Sequence, residues 1–345
     1  MSSRRDATLD IAKAICIICM VIGHSGCPDY LYRFIYLFHM PCFFFISGWL
    51  LKDKYLTDIK KGLLNKVRGS YFPFVKWSLL FLVFHNVFVR LHIYDANTSY
   101  TLSEFVGKIL RIVAMSGGEQ LLGGYWFLIS LFWASVVSLV FFSLLKRAGK
   151  LTQCSILMGA FFILVVAALE NLFPVRLPEQ FREQTLLAIA FYASGYYFHQ
   201  FNIDIRRLWQ MLFLLVPAIV AIFIGMSMQG KGCSVLLYFG IALMGSIGII
   251  SASNLLSKYR IHRVLAYIGD KTLYILTFHF LSFKVVSLLY IHYKGLPIDF
   301  LAQFPVLKET NSYMWIIYTI VGIALSLLIW EVIHRIAALF TLKIN

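Results

Sequence analysis

Charged residues are scarce in this sequence, and that scarcity excludes an ordinary soluble domain. Only 14% of the 345 residues are charged, 60% are hydrophobic, and the mean hydropathy is +0.78. Soluble domains carry about a quarter of their residues as charges. Because no stretch has the composition of a separate soluble domain, we expect residues 1–345 to form a single transmembrane domain, with the lipid bilayer as a partner.

Acidic residues are also few, and the cysteines form no framework. Sixteen Asp and Glu stand against 31 Lys and Arg, which gives a net charge of +15. The basic residues are dispersed at the ends of apolar runs, as cytoplasmic anchors of membrane proteins are, so we expect no nucleic-acid partner. The six cysteines are scattered, and most lie inside apolar runs, where a thiol behaves as a small hydrophobe.

Long apolar runs dominate what is present. Each has the roughly 17 to 25 residues needed to cross a bilayer. We therefore predict an all-α integral membrane protein, a bundle of about ten transmembrane helices, near 7–25, 32–51, 71–91, 124–145, 153–173, 185–201, 210–228, 233–251, 264–284 and 313–340. With the N-terminus inside, the inner segments hold 18 Lys and Arg and the outer segments 10, which predicts that both termini are cytoplasmic.

Two of the connecting loops have helical patterns. Residues 52–70 place apolar side chains at helical spacing among lysines, which predicts a helix on the cytoplasmic surface. In the first long outer loop, Thr101 and Glu104 have capping-box spacing and open an amphipathic stretch through Met115. We expect that second helix to cover an outer cavity.

The first span contains the most informative residues. Asp10, Lys13 and His24 interrupt an otherwise apolar run, and ionisable side chains inside a membrane mark functional sites by default. Lys13 and His24 are eleven residues apart, which places them within about 20° of one helix face and roughly 16 Å apart along the axis. Taken singly, Lys13 also fits a lysine that snorkels to the inner interface, and His24 a histidine at the outer headgroups.

Short segments near the N-terminus resemble a known family. They are Leu9-Asp10-Ile11-Ala12-Lys13, Val21-Ile22-Gly23-His24, Phe38-His39-Met40-Pro41 and Phe44-Phe45-Ile46-Ser47-Gly48. Together they resemble the signature of the acyltransferase-3 superfamily of membrane O-acyltransferases, and most closely its fucose 4-O-acetylase-like branch. The hallmark of that superfamily is an Arg or Lys, ten intervening residues and a His, which Lys13 and His24 reproduce. Later segments around Trp126 and His279 resemble the family more thinly.

The resemblance implies transfer of an acyl group from a cytoplasmic acyl-CoA to a carbohydrate, with His24 as a catalytic residue. Imidazole suits deprotonation of an acceptor hydroxyl, and His24 either acts in this way or is itself acylated; the sequence leaves both open. We expect Lys13 to bind the CoA moiety. Asp10 is grouped with His24 as a catalytic residue, and we expect it to position Lys13. Acetyl-CoA is expected as a donor substrate, with no tightly bound cofactor.

Four further residues are candidates for substrate binding, and each has a plainer interpretation. His39 and His279 are expected at the level of His24, although backbone groups or water can satisfy a helix histidine. Ser47 lines an acyl site or permits close helix packing, the commoner use of small residues. Trp126 stacks on a sugar or belongs to the interfacial aromatic belt. Three helix-end histidines without a carboxylate pattern predict no metal site.

The predicted function is O-acetylation of a cell-surface carbohydrate, or of its lipid-linked precursor, by a multi-pass protein of the cytoplasmic (inner) membrane. A proton-coupled transporter or exporter of a small polar or glycan substrate is the alternative, because buried Asp, Lys and His also suit proton coupling. The sequence has no evident inverted repeat. A membrane scaffold would leave the spacing of Lys13 and His24 without a reason.

Overall fold

The computed structural model describes residues 6–173, 177–228 and 234–342, and in these ranges the regular structure is helical, with no strand. The α-helices are α1 (Ala7–His24), α2 (Asp29–Tyr36), α3 (His39–Trp49), α4 (Asp53–Thr57), α5 (Ile59–Lys66), α6 (Phe72–Arg90), α7 (Leu102–Val113), α8 (Trp126–Arg147), α9 (Gln153–Leu172), α10 (Glu183–Gln200), α11 (Leu215–Phe223), α12 (Val235–Leu256), α13 (His262–Asp270), α14 (Thr272–Lys294) and α15 (Met314–Leu342). Arg4, Arg5, Arg176, Lys231 and Lys343, which entered the charge comparison, lie outside the described residues, as does Cys233.

Eight helical stretches of the described chain are long and apolar enough to cross a bilayer, which confirms the predicted all-α membrane architecture. The expected span 185–201 coincides with α10, which has the necessary length but lies outside this group of eight. Near the expected span 210–228 the structure has only a shorter apolar helix, Leu208–Phe223. The number of ten spans and the cytoplasmic position of both termini therefore stay predictions.

The second expected span, 32–51, corresponds to one of these eight stretches, Asp29–Trp49, but that stretch is not one continuous helix. The chain leaves helical geometry at Phe38, between α2 and α3. Pro41 explains the position of the break, because proline has no N–H and its ring clashes with the carbonyl four residues earlier in a continuous helix. With the break at Phe38, Pro41 falls in the first turn of α3, where no N–H donor is needed.

The ninth expected span, 264–284, is also wrong in its bounds. Helix α13 ends at Asp270, and α14 runs much further, to Lys294. A Cβ at Gly269 would lie 1.9 Å from the carbonyl oxygen of Asp10, so the end of α13 packs directly on α1. His279 therefore lies well inside α14, rather than near its outer end.

Lys284 is one of the ten Lys and Arg assigned to outer segments from the sequence, but it is buried within α14. Its Nζ donates hydrogen bonds to the carbonyl oxygens of Leu301 and Gln303, both at 2.7 Å. An ammonium group needs such acceptors when it is buried, because its desolvation is otherwise uncompensated. Lys284 thus fixes the loop after α14 to the helix bundle.

The expected surface helix 52–70 is formed in pieces. Helices α4 and α5 are short, and α5 continues through a π-helical turn, Val67–Tyr71, into α6. Pro73 has no N–H to donate to the carbonyl of Gly69, which accounts for a local change of helix type at this point. In the outer loop, α7 begins with the predicted capping box of Thr101 and Glu104 and ends at Val113, two residues before Met115.

Small residues allow the central helices to approach closely. A Cβ at Gly48 would lie 1.9 Å from the backbone oxygen of Tyr192, and one at Gly195 equally close to that of Phe45. Helices α3 and α10 therefore meet backbone to backbone, the usual role of small residues in membrane proteins. Helix α1 packs among α3, α12, α13 and α15, so the face that holds Asp10, Lys13 and His24 contacts protein.

Candidate active site

The N-terminal half of α1 holds a buried ion pair. Lys13 Nζ lies 2.6 Å from Asp10 Oδ1, with 22% and 7% of the two side chains exposed. The residues are three apart, so one helix turn brings them together, as the sequence predicts. Gly269 of α13 packs against the backbone of Asp10, so the ion pair lies where α1 and α13 meet.

A cavity of about 190 Å³ lies beside Lys13. Its walls include Lys13, Ile17 and Met20 from α1, Ser47 from α3 and Leu276 from α14. Most of the lining is apolar, and the ammonium group of Lys13 is its charged group. The cavity can therefore take an apolar or weakly polar chain that follows the face of α1, with an anionic part near Lys13.

His24, in the C-terminal turn of α1, contacts His279 of α14. Nδ1 of His24 lies 3.3 Å from Nε2 of His279, and the rings stack with centroids 5.3 Å apart. Phe280 packs against both rings, at 4.9 Å from His24 and 3.9 Å from His279. The break before α14 makes this contact possible, because it brings the middle of α14 alongside the end of α1.

The hydrogen bonds of His279 determine where the protons lie. The carbonyl oxygens of Ile275 and Leu276 both lie 3.0 Å from its Nδ1. A carbonyl only accepts, so Nδ1 donates, and in the neutral ring Nε2 carries the lone pair. This lone pair accepts the hydrogen on Nδ1 of His24, which leaves the lone pair of neutral His24 on its Nε2.

Met20 connects the cavity to the histidines. Its side chain lines the cavity, and its Sδ lies 3.2 Å from Nδ1 of His24. Sulfur of a thioether only accepts, so this contact agrees with a protonated Nδ1. Met20 is therefore the one residue between the Lys13 cavity and His24. Lys13 and His24 face one continuous region of protein.

The other residues predicted to bind substrate lie at different distances from the Lys13 cavity, and only some of them line it. Ser47 lines the Lys13 cavity, while its neighbour Gly48 makes the helix contact. His39 is buried, and its Nδ1 donates a hydrogen bond to the carbonyl oxygen of Ile35 at 2.8 Å. The ring of Tyr36 packs against His39 and also lies close to Gly23, near the end of α1. Trp126 lines a different cavity, of about 250 Å³, between α6, α8 and the loop before α8.

Glu119 also lines that second cavity and pairs with His85, and neither residue is among the candidates named from the sequence. Nδ1 of His85 lies 2.6 Å from Oε2 of Glu119, and both side chains are buried. Nearby, burial raises the pKa of Tyr94 above its ordinary value, so its hydroxyl stays protonated. His85 lies inside the expected third span, so the criterion applied to His24, an ionisable group within an apolar run, also selects it.

Metal binding has no evident place in the described part of the chain. Within residues 6–173, 177–228 and 234–342, no three His, Cys, Asp or Glu side chains come together as a metal site requires. The described cysteines form no disulfide.

Comparison with known proteins identifies the family. A family model described as an acyltransferase domain matches residues 6–331, nearly the whole chain. The chain belongs to this acyltransferase family. Membership confirms the resemblance predicted from the segments around Lys13 and His24, and it favours acyl transfer over transport. Assignment to the fucose 4-O-acetylase-like branch stays a prediction.

Two similar curated proteins are both called nodulation protein NolL. The protein from Mesorhizobium japonicum is 24% identical over 163 residues, which cover 44% of this chain and 39% of the relative. The protein from Sinorhizobium fredii is 24% identical over 186 residues, covering 50% of this chain and 46% of the relative. The matches thus span less than half the length of each relative. No solved structure is significantly similar to the chain.

Proposed function

We propose that this multi-pass membrane protein transfers an acetyl group from cytoplasmic acetyl-CoA to a hydroxyl of a cell-surface carbohydrate or its lipid-linked precursor, in the cytoplasmic membrane. The observation that carries the proposal is the arrangement along α1. A partly buried cation, Lys13, lies at one end and a histidine with a defined lone pair, His24, at the other, and a cavity lies between them.

The donor would enter at the Lys13 end. Coenzyme A combines anionic phosphates with a long, thin pantetheine arm, and only a thin chain fits a cavity of about 190 Å³. Lys13 would attract the anionic part, while Asp10 holds its ammonium group in place. The arm would then run along α1 and bring the thioester past Met20 to His24.

The chemistry follows from the lone pair on Nε2 of His24. In direct transfer, Nε2 removes the proton of the acceptor hydroxyl, the oxygen forms a bond to the acetyl carbonyl carbon, and the carbon–sulfur bond breaks. The proton on Nε2 then passes to the departing CoA thiolate. In the alternative, Nε2 itself attacks the acetyl carbonyl carbon, and the carbon–sulfur bond breaks to release the CoA thiolate. The acceptor oxygen then attacks the same carbon, the bond from Nε2 to that carbon breaks, and the hydroxyl proton passes to the thiolate. Both routes begin at the same atom.

His279 supports either route without touching the acetyl group. It accepts the hydrogen on Nδ1 of His24 and so keeps the lone pair on the opposite nitrogen. It also stabilises the imidazolium that forms when His24 takes a proton. His279 is therefore a positioning residue in this proposal, and its own orientation comes from the carbonyls of α14.

The test uses radiolabelled acetyl-CoA, purified protein and native membranes. We expect label to move to membrane glycan with the wild-type protein and not with His24→Ala, while binding of acetyl-CoA is retained. His334→Ala is the matched control, because His334 lies on α15, stacked on Trp330, away from the His24–His279 pair. Transfer by a folded His24→Ala variant would refute the assignment of His24, and absence of any labelled glycan with wild type would refute the activity.

A further inference from the structure

The His85–Glu119 pair is a second buried polar centre, separate from the Lys13 cavity. His85 comes from the last part of α6, and Glu119 from the loop that precedes α8. Nε2 of His85 lies 2.7 Å from the carbonyl oxygen of Thr98, and the ring of Tyr100 stacks on the imidazole at 3.6 Å. The imidazole is therefore held on three sides, which fixes the position of the carboxylate next to it.

The hydrogen bonds of the pair leave one oxygen without a partner. Nε2 of His85 must donate to Thr98, because a carbonyl only accepts, so the contact between Nδ1 and Oε2 of Glu119 carries one shared proton. Oε1 of Glu119 is buried and has no hydrogen-bond partner among the described residues. Only 3% of Glu119 is exposed. A buried carboxylate oxygen that accepts no hydrogen bond lowers the stability of the fold. A ligand that donates a hydrogen bond to this oxygen would remove that penalty.

Glu119 lies between two cavities. One has a volume of about 690 Å³ and the other, which Trp126 lines, about 250 Å³, and Glu119 and Gly118 line both. The polar groups of the larger cavity are mainly hydrogen-bond acceptors and amides, from Asp95, Gln120, Asp299 and Gln303. These groups can bind several hydroxyls at once.

The charges of this region disfavour a polyanion. In the larger cavity, the carboxylates of Asp95, Glu119 and Asp299 outnumber the one ammonium group, that of Lys108, which lies over the ring of Tyr100 at 5.0 Å. Arg182 lines the smaller cavity, and His92 pairs with Asp299. Coenzyme A would be repelled here, whereas the cavity beside Lys13 presents a cation. The two regions therefore suit different molecules, one anionic and one rich in hydroxyls.

The loop after Glu119 leads directly to the histidine pair. Residues Gln120–Tyr125 form 3₁₀ turns, and a Cβ at Gly124 would lie 3.9 Å from Cε1 of His279. At about 2 Å per residue, the path from Glu119 to Gly124 is roughly 10 Å. The loop that carries Glu119 is therefore in contact with the residue that orients His24.

We propose that the His85–Glu119 pair is a carbohydrate-binding site, at which Oε1 of Glu119 accepts a hydrogen bond from a sugar hydroxyl of the acceptor. The inference deepens the proposed function, because it assigns the acceptor to a site apart from the donor cavity. The bound sugar is an anchor, and the hydroxyl to be acetylated belongs to an adjacent part of the same glycan.

The test measures sugar binding without any acyl donor. Purified protein in nanodiscs is titrated with the methyl glycosides of fucose, rhamnose, glucose and N-acetylglucosamine, and saturation-transfer NMR reports binding. We expect at least one glycoside to bind the wild type, and Glu119→Gln to weaken that binding by about tenfold, because a neutral amide oxygen is a weaker acceptor than a carboxylate. Glu331→Gln on α15 is the control and should bind like the wild type.

Two results would overturn the proposal: binding of no glycoside by the wild type, or equal binding by Glu119→Gln. If Glu119→Gln does not fold, Asp299→Asn in the opposite wall replaces it, since 80% of the Asp299 side chain is exposed and its folding role is small. If Asp299→Asn then binds the glycosides as tightly as the wild type does, that result would contradict the proposed site. The binding assay uses no acetyl-CoA, so its result is independent of the transfer assay. Sugar binding that depends on Glu119, in a protein that transfers no acetyl group, would refute the proposed function alone. Acetyl transfer by a protein whose sugar binding does not depend on Glu119 would refute this site alone.

Discussion

Nδ1 of His24 faces Nε2 of His279 at 3.3 Å, and the carbonyls behind His279 fix the direction of the hydrogen bond between them. The consequence is a lone pair on Nε2 of His24. Neither residue alone determines this: His24 supplies the reactive nitrogen, and His279 selects which nitrogen it is.

Substitution of His279 tests this relationship. We expect His279→Ala to lower kcat by a factor on the order of 100 with little change in the KM for acetyl-CoA, because the general base loses its preferred tautomer. His279→Gln should recover part of the rate, since its amide oxygen can accept the hydrogen on Nδ1 of His24. Steady-state kinetics across pH measures both effects. A His279→Ala variant with wild-type kcat, or a folded His279→Gln variant no better than His279→Ala, would contradict the prediction.

Lys13 is expected to act on donor affinity rather than on the chemical step. Lys13→Met should weaken acetyl-CoA binding by about tenfold, and Lys13→Arg should retain most of it, because Arg keeps the positive charge. Isothermal titration calorimetry with acetyl-CoA measures the affinity.

The control separates donor binding from the stability of the ion pair. Lys13→Met removes the ammonium group that lies 2.6 Å from the buried carboxylate of Asp10, which destabilises the fold. The double variant Asp10→Asn/Lys13→Met removes both charges, so it should regain thermal stability without regaining affinity. Recovery of affinity in the double variant would show that Lys13 acts only by neutralising Asp10.

The sequence predicts the first span and the positions of its ionisable residues well, because an ionisable residue in an apolar helix stands out and helical spacing gives its direction. The ion pair of Asp10 and Lys13 is confirmed by geometry. The contact between His24 and His279 was expected only as a shared depth, since 255 residues separate them and spacing says nothing about such contacts.

The helix breaks could not be predicted from apolar composition alone. Runs 32–51 and 264–284 are predominantly apolar, and the breaks at Phe38 and Lys271 depend on a proline and on a glycine packed against a distant backbone. Glu119 was missed for a related reason. Its loop looks like an ordinary outer connection, and only folding brings it to His85 on α6.

Gly48 is predicted to be essential for the assembly of α3 with α10. Gly48→Ala would place a methyl group 1.9 Å from the backbone oxygen of Tyr192, so the helices must separate, at an expected cost of about 3 kcal/mol. Gly240→Ala on α12 is the matched control, because a Cβ there meets nothing within 4 Å and alanine favours helix. Thermal unfolding in nanodiscs compares the two variants. Equal melting temperatures would show that α3 and α10 tolerate a wider separation.

Met20 is predicted to limit the length of the acyl chain. It lines the Lys13 cavity and also contacts His24, so an acyl group that reaches Nε2 must pass its thioether. Met20→Ala removes that side chain and should raise kcat/KM for propionyl-CoA relative to acetyl-CoA by about tenfold, the usual value of one methylene in an apolar pocket. Leu131→Ala, which enlarges the same cavity away from His24, is the control and should leave the ratio near that of the wild type. An unchanged ratio in Met20→Ala would mean that the acyl chain reaches His24 by a route that avoids this cavity, and the placement of the donor along α1 would then be wrong.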